Sequence, residues 1–341
     1  MRKRVRVLTL TVALAFQVAC PTAHAAEAAP TPVRLGWSVM PGELAPVIFT
    51  KPELAHHMDK SYAFQAVRIA NSPQMITALA AGEIDIAALA FSSFPLAVQN
   101  AGMTDLRVIA DESQDGVPGY YTDEFKVRND SGITTVEDLK QKVLASTGFG
   151  AASDIALRAM LVKHKLDPTK DVTIVQIAYP NMKAVLNERK AELVAAIPPY
   201  AFDTELKSFS HTLFTGREAM GQTQKIFWVA RSGYLDKNRA ALVDFMEDFM
   251  RAQRWFMSEA NRAEALKIVS AFTKQPPEFY AGYVWGKLDY YRDPRGLPNL
   301  DALQHSIDVQ VELGILKAKL DVKALSDLSI VTEAAARLDK G

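Results

Sequence analysis

Cysteine is almost missing from the sequence: Cys20 is the only one in 341 residues, and it falls in an N-terminal stretch that reads as a secretory leader. Past that stretch there is no thiol for a nucleophile, a disulfide or a Cys-based metal site. Histidine is sparse and badly spaced for metal. His56 and His57 are adjacent on a presumed helix and point apart, His164 and His305 lie on helices, and His211 sits in a connection. None has a ligating partner four residues on. No Gly-x-Ser-x-Gly elbow is present. Enzyme chemistry therefore has little support, and no metal or cofactor is expected. Excess charge of one sign is lacking too, with 39 basic and 39 acidic residues. Removal of the leader takes Arg2, Lys3, Arg4 and Arg6 and no acid, which leaves a mild acidic excess. That argues against nucleic acid or an anionic membrane surface as partner. Beyond the leader no apolar run is long enough to span a bilayer.

What is present begins with that leader. Its basic residues precede an apolar core, Val7 to Ala19, and Ala23-His24-Ala25 fits the small-x-small rule for cleavage before Ala26. Export to the periplasm is the expectation. Cys20 as a lipid-attachment site is a second reading, with Gln17 standing where that signal prefers an aliphatic residue.

The chain after residue 30 reads as two β-α-β-α-β sets. In the first, strands are expected at 33–37, 64–70, 84–89 and 106–110. The 84–89 strand is apolar throughout and so buried on both faces. A helix is expected over Glu43 to Met58, short or broken because of Pro46 and Pro52. The polar, glycine-bearing run Asp111 to Gly119 reads as a domain crossing, followed by a strand over 120–127 and a capped helix start at Thr135. The second set has strands at 143–146, 172–177 and 193–197. Lys225 to Ala230 reads as a returning strand, and the chain is then helical. Leu242, Phe245, Met246, Phe249 and Met250 form one apolar stripe, and Leu300, Leu303, Ile307 and Val311 another. The reading is an α/β protein with parallel-sheet lobes and a hinge: a first lobe of residues 26–115 plus 222–341 and a second of residues 116–221.

Ligands in open α/β sheets sit beyond the carboxyl ends of the strands. One such turn is Thr147-Gly148-Phe149-Gly150-Ala151-Ala152-Ser153, strand end to helix start. Its glycines permit close backbone approach, and Ala151, Ala152 and Ser153 offer N–H groups at a helix N-terminus, a setting for a small anion. An ordinary βα turn that binds nothing has the same appearance. A second turn of this layout is Phe91-Ser92-Ser93, and a third is Ile197-Pro198-Pro199-Tyr200.

These three turns, with Gly82-Glu83-Ile84-Asp85, Leu166-Asp167-Pro168 and Ala178-Tyr179-Pro180-Asn181, resemble the periplasmic solute-binding proteins of nitrate, sulfonate and taurine-type ABC importers over residues 33–330. The resemblance implies a two-lobed periplasmic-binding-protein clamp of type II, acting as a monomer. It would carry a small organic anion to a permease and ATPase complex at the inner membrane. Site candidates under this reading are the aromatics Trp37, Phe91, Tyr120, Tyr121, Phe149, Tyr179, Tyr200 and Trp228, the hydroxyls Ser38, Ser92, Ser93, Thr147 and Ser153, and Gly150, Ala151, Ala152 and Pro198. The aromatics tilt the ligand toward an aromatic or bulky carboxylate or sulfonate. Ala151-Ala152 and Ile197 depart from the family's sulfonate pattern and put taurine and simple alkanesulfonates in doubt. A sensor delivering its signal to a membrane receptor shares the pattern. A thiamine-pyrimidine-synthase-like enzyme of this fold would need a cysteine-rich motif that the chain does not have.

Overall fold

The structure is a computed structural model and describes residues 29–38 and 42–340. The expected leader with Cys20 and the expected cleavage before Ala26 lie outside the described residues. Among the described residues ten strands form two sheets: β1 (Thr31–Trp37), β2 (Tyr62–Arg68), β3 (Ile86–Ala90), β4 (Leu106–Asp115), β5 (Glu124–Arg128), β6 (Val143–Ser146), β7 (Thr173–Gln176), β8 (Leu193–Ala196), β9 (Ser210–Thr215) and β10 (Thr223–Arg231). The orders are β2-β1-β3-β10-β4 and β7-β6-β8-β5-β9. β1 runs parallel to β2 and β3, and β6 parallel to β7 and β8. β10 is antiparallel to β3 and β4, and β5 to β8 and β9.

The sheets are thus mixed, and the reversed strand in each has one cause. β4 ends at the edge where its parallel neighbours end. The chain crosses there, so the strand it enters next, β5, starts at that edge and must run backwards. β10 returns to the first sheet by the same route. Each lobe therefore holds one strand that arrived through the crossing.

β3 and β8 are buried almost throughout, as continuous apolar strands covered on both faces should be. The long helix Ser232–Phe256 buries Leu242, Phe245, Met246, Phe249 and Met250 against the first sheet, with Phe249 4.3 Å from Trp228. Leu303 and Ile307 of the helix Leu300–Glu312 are fully buried. Three sequence expectations change. Glu43–Met58 holds only one helical turn, Ala45–Ile48, and a 3₁₀ turn, Pro52–Leu54, because each proline starts a new turn and ends the previous one. Thr135 opens only a 3₁₀ turn, Glu137–Leu139, with Asp138 accepting the N–H groups of Thr134 and Thr135 at 3.0 and 2.9 Å. Asp111 to Asp115, expected as connection, is the last half of β4 and is buried. Among the described residues no helix is long and apolar enough to cross a membrane.

Candidate functional site

Turns that follow strand carboxyl ends meet the other part of the chain, as at Phe202 after β8, which stacks on Tyr283 at 4.7 Å. The crossings are packed backbone to backbone. Gly116 has φ +75°, and a Cβ there would overlap the carbonyl oxygen of Gly221. A Cβ on Gly216 would lie 2.9 Å from Asp115 Oδ2 and 3.3 Å from Asp123 Cβ. The second lobe's glycine turn also reaches the first lobe, since Ile315 is the neighbour that a Cβ on Gly150 would meet, at 3.8 Å.

At this junction lies an ionic cluster of two buried carboxylates and a largely buried ammonium. Lys225 Nζ is 2.5 Å from Asp123 Oδ2 and 4.0 Å from Asp115 Oδ2. The Tyr290 hydroxyl donates to Asp123 Oδ1 at 2.5 Å, and the ammonium stands 4.3 Å from the Tyr290 ring centroid. Burial pulls the Lys225 pKa down, but Asp123 and Asp115 more than reverse it, so the ammonium is held above the usual lysine value. Burial, and then repulsion from Asp123, push Asp115 up to about 6.

On the second lobe, Thr147 Oγ1 and Ser153 Oγ are 2.9 Å apart, and the Thr147 N–H donates to Ser153 Oγ at 3.2 Å. Tyr179 completes the group. Its phenol pKa is raised chiefly by burial and also by Asp123, and opposed by Lys225 and by hydrogen bonds with Ser153 and Thr147. Phe91, Ser92 and Ser93 lie against the strand that carries Lys225: the Phe91 N–H donates to the Lys225 carbonyl at 3.2 Å, and Ser92 is buried.

Several expected donors are already engaged. The Gly150 N–H donates to Asp154 Oδ2 at 3.0 Å, Arg158 Nε pairs with the same oxygen at 2.8 Å, and the Ala151 N–H donates to the Gly148 carbonyl at 3.1 Å. The glycine turn thus carries its own buried carboxylate: an acid in the first turn folds back onto the helix start, where the dipole favours it. Ala152 and Ser153 open the helix as expected. Ser38 gives its hydroxyl (2.8 Å) and its N–H to Glu43.

The aromatic candidates disperse. Tyr179 and Tyr200 stand parallel, 6.4 Å apart. Tyr121 donates to the Ala196 carbonyl at 3.0 Å and packs on Phe202 and Tyr290. Pro198 forms a cis peptide bond with Pro199 ahead of Tyr200. Trp37 packs near Phe272 at 6.0 Å, and Tyr120 near Tyr291 at 5.1 Å. Phe149 is 75% exposed beneath Arg158. Trp228 is corrected. It is wholly buried between Phe245 and Phe249, its Nε1 donating to Glu112, and offers a ligand no surface.

Sequence reasoning missed Lys225 as a site residue and missed the segment from Tyr283 to Arg292. That segment joins both lobes. The Asp289 carbonyl accepts the Tyr121 N–H at 3.1 Å, the Tyr291 carbonyl accepts the Gln114 N–H at 2.8 Å, and Tyr283 stacks on Phe202 at 4.7 Å. It has no helical or strand period. The available signal was its aromatic density, with Tyr283, Trp285, Tyr290 and Tyr291 in nine residues. Among the described residues no group of three His, Cys, Asp or Glu side chains could hold a metal ion.

β4 predicts a pH effect. Burial raises Asp111 to about 7 and Glu112 to about 6, as it does Asp115. Carboxyls raised on folding bind protons more tightly in the native state, so their contribution is fullest near pH 4 and is lost as pH rises through 6–7. The thermal midpoint is therefore expected to be several degrees higher at pH 5.5 than at pH 8. Differential scanning calorimetry across that window checks it, and a midpoint flat or rising toward pH 8 would contradict the assignment.

Two mixed sheets joined by paired crossings define a two-lobed fold of the periplasmic-binding-protein kind. The chain belongs to the NMT1-like family, whose model matches residues 26–270. It is 24% identical over 306 residues to a protein of Escherichia coli (strain K12) assigned as aliphatic sulfonates-binding, covering 88% of this chain and 90% of that one. It is 26% identical over 143 residues to a protein of Bacillus subtilis (strain 168) assigned as the binding protein YtlA, covering 42% of this chain and 43% of that one. The chain thus spans under half of YtlA's length. Among solved structures, the periplasmic aliphatic sulphonate binding protein SsuA from Escherichia coli superposes with a TM-score of 0.72 at 21% identity, covering 87% of this chain and 92% of that one. The periplasmic nitrate-binding protein NrtA from Synechocystis PCC 6803 gives 0.67 at 18%, covering 92% and 90%. A cysteine-to-serine mutant of DszB, in complex with biphenyl-2-sulfinic acid, gives 0.64 at 11%, covering 90% and 99%.

Proposed function

We propose that the protein is an extracytoplasmic solute-binding protein that captures a small organic anion, a carboxylate or sulfonate, between its lobes. It works in the periplasm as a monomer and delivers the anion to an ABC permease. The lobes comprise residues 26–115 with 222–341, and residues 116–221, and close about the two crossings. The family and the sulfonate- and nitrate-binding relatives support this reading. The observation that carries it is the placement of Lys225, a largely buried ammonium at the lobe junction, in the field of Tyr179, whose hydroxyl bonds to Ser153 and Thr147. An ionic hydrogen bond from any of these groups to the ligand would contribute about 1.5–3 kcal/mol.

DszB shares the fold and is an enzyme of desulfurization. This chain's one cysteine lies in the leader, so no described residue supplies a thiol. Capture, not turnover, is the activity that fits the residues present.

The cluster sets a pH dependence for capture. Two carboxylates face one ammonium, and a bound anion adds a further negative charge. Protonation of Asp115 removes one of them and so lowers the repulsion that a bound anion meets, while Lys225 stays paired with Asp123. Affinity is expected to rise several-fold from pH 8 to pH 6. Isothermal titration calorimetry with benzenesulfonate and ethanesulfonate at both pH values tests this. Absence of heat with either anion at millimolar concentration, at both pH values, would remove the anion reading. Mass spectrometry of the exported protein is expected to show a chain beginning at Ala26.

A further inference from the structure

We infer that the ligand's body is a planar aromatic ring held between Tyr179 and Tyr200; this rests on the anion reading above. Both side chains stand on short 3₁₀ turns, Tyr179–Asn181 and Tyr200–Phe202, that follow the carboxyl ends of β7 and β8. Their planes are 12° from parallel and their centroids 6.4 Å apart. Parallel rings that touch elsewhere in this protein are closer: Phe125 and Phe214 lie 4.4 Å apart at 14°, and Phe202 and Tyr283 4.7 Å apart at 10°. A third ring between two others needs two carbon–carbon contacts of about 3.5 Å, or roughly 7 Å. The 6.4 Å centroid spacing is the upper bound on the gap between the ring planes, so a ring enters when the Tyr179 turn moves outward by at least about 0.6 Å.

The slot has a polar end and an open end. The Tyr179 hydroxyl interacts with Ser153 and Thr147 and lies in the field of Lys225 and Asp123. Tyr200 is 37% exposed and forms the solvent side. A ring that enters past Tyr200 carries its anionic substituent to the Thr147–Ser153 hydroxyls and the ammonium. The wall behind is fixed, because Phe202, two residues on, is stacked on Tyr283 of the other lobe. The arrangement selects aromatic carboxylates and sulfonates over aliphatic ones with the same head group.

Benzenesulfonate and ethanesulfonate carry one head on two bodies, and calorimetry of both on the exported chain separates the head from the ring. Wild-type protein is expected to bind benzenesulfonate more tightly. Tyr200→Ala should weaken benzenesulfonate about tenfold and ethanesulfonate less than about twofold, while Tyr200→Phe keeps benzenesulfonate within about twofold of wild type. In unaltered protein, benzenesulfonate should also change the tyrosine near-ultraviolet circular dichroism and ethanesulfonate should not, a readout that needs no variant to fold. Equal loss of both ligands in Tyr200→Ala, an unchanged benzenesulfonate affinity, or an unchanged tyrosine spectrum at saturation would overturn the slot. Ethanesulfonate binding without benzenesulfonate binding would overturn it while leaving the anion reading intact. Failure of both to bind wild-type protein would remove the anion reading, and the slot with it.

Discussion

Lys225→Met is expected to lower the thermal midpoint by roughly 10 °C and to weaken anion binding about a hundredfold. The two losses have different causes. The stability loss comes from Asp123 and Asp115, which stay buried and close to each other once their shared cation is gone. Breaking a buried pair in this way costs about 3–5 kcal/mol, chiefly through the uncompensated charge. In a chain of this size each kcal/mol moves the midpoint by about 2–4 °C. The binding loss is that of one charge-assisted contact, and a tenfold change corresponds to about 1.4 kcal/mol. A second substitution separates them. Asp123→Asn removes one stranded charge while keeping an acceptor for the Tyr290 hydroxyl. The double variant is therefore expected to recover most of the midpoint but not the affinity. Recovery of both in thermal melts and titrations would make Lys225 a purely structural residue and deny it contact with the ligand.

Gly116→Ala is expected to cost far more stability than Gly119→Ala, although both glycines have φ near +80° and lie three residues apart. At Gly119, φ is +82° and an added methyl meets nothing within 4 Å, so only the left-handed backbone opposes it, at about 1–2 kcal/mol. At Gly116, φ is +75° and the methyl meets the Gly221 carbonyl, with Gln222 Cα 3.3 Å away. Backbone of the second crossing cannot rotate aside as a side chain can, so the two crossing strands must separate. Gly116→Ala should lose at least about twice as much stability as Gly119→Ala, and Gly116→Val should fail to accumulate as folded protein. Urea denaturation of the two alanine variants measures the difference directly. Equal losses would show that the crossings are not held at this contact.

The strands of the parallel cores were legible because their chemistry is simple. β3 and β8 are short, apolar on both faces and bounded by turn residues, and only a covered sheet satisfies that pattern. The crossing was less legible because polarity there does not mean exposure. Asp111 reads as loop, yet its carboxylate accepts from Gln224 Nε2 at 2.6 Å and from the Asp293 N–H at 2.8 Å, partners 113 and 182 residues away. Lys225 escaped notice for a related reason. In the sequence it is the one charge at the head of an apolar strand, and only the fold brings Asp123, Asp115 and Tyr290 to it. Trp228 was placed in the site from its position near a strand end, but it faces the long helix and lies in the core. The glycine turn was correctly seen as a strand-to-helix junction. What one residue type at a time could not show is that Asp154 already occupies its Gly150 donor. The segment from Tyr283 to Arg292 has no period to read, because its order comes from contacts with both lobes and not from its own repeat.

The central claim is that an anion is held between the lobes at Lys225 and the Thr147–Ser153–Tyr179 hydroxyls. Its most direct test is a crystal structure of the protein grown with 4-bromobenzenesulfonate, with the bromine and sulfur located by anomalous scattering. The account predicts sulfur within hydrogen-bonding reach of those hydroxyls and the Lys225 ammonium, with bromine toward Tyr200. Anomalous peaks confined to the outer surfaces of the lobes, with none at their junction, would contradict it.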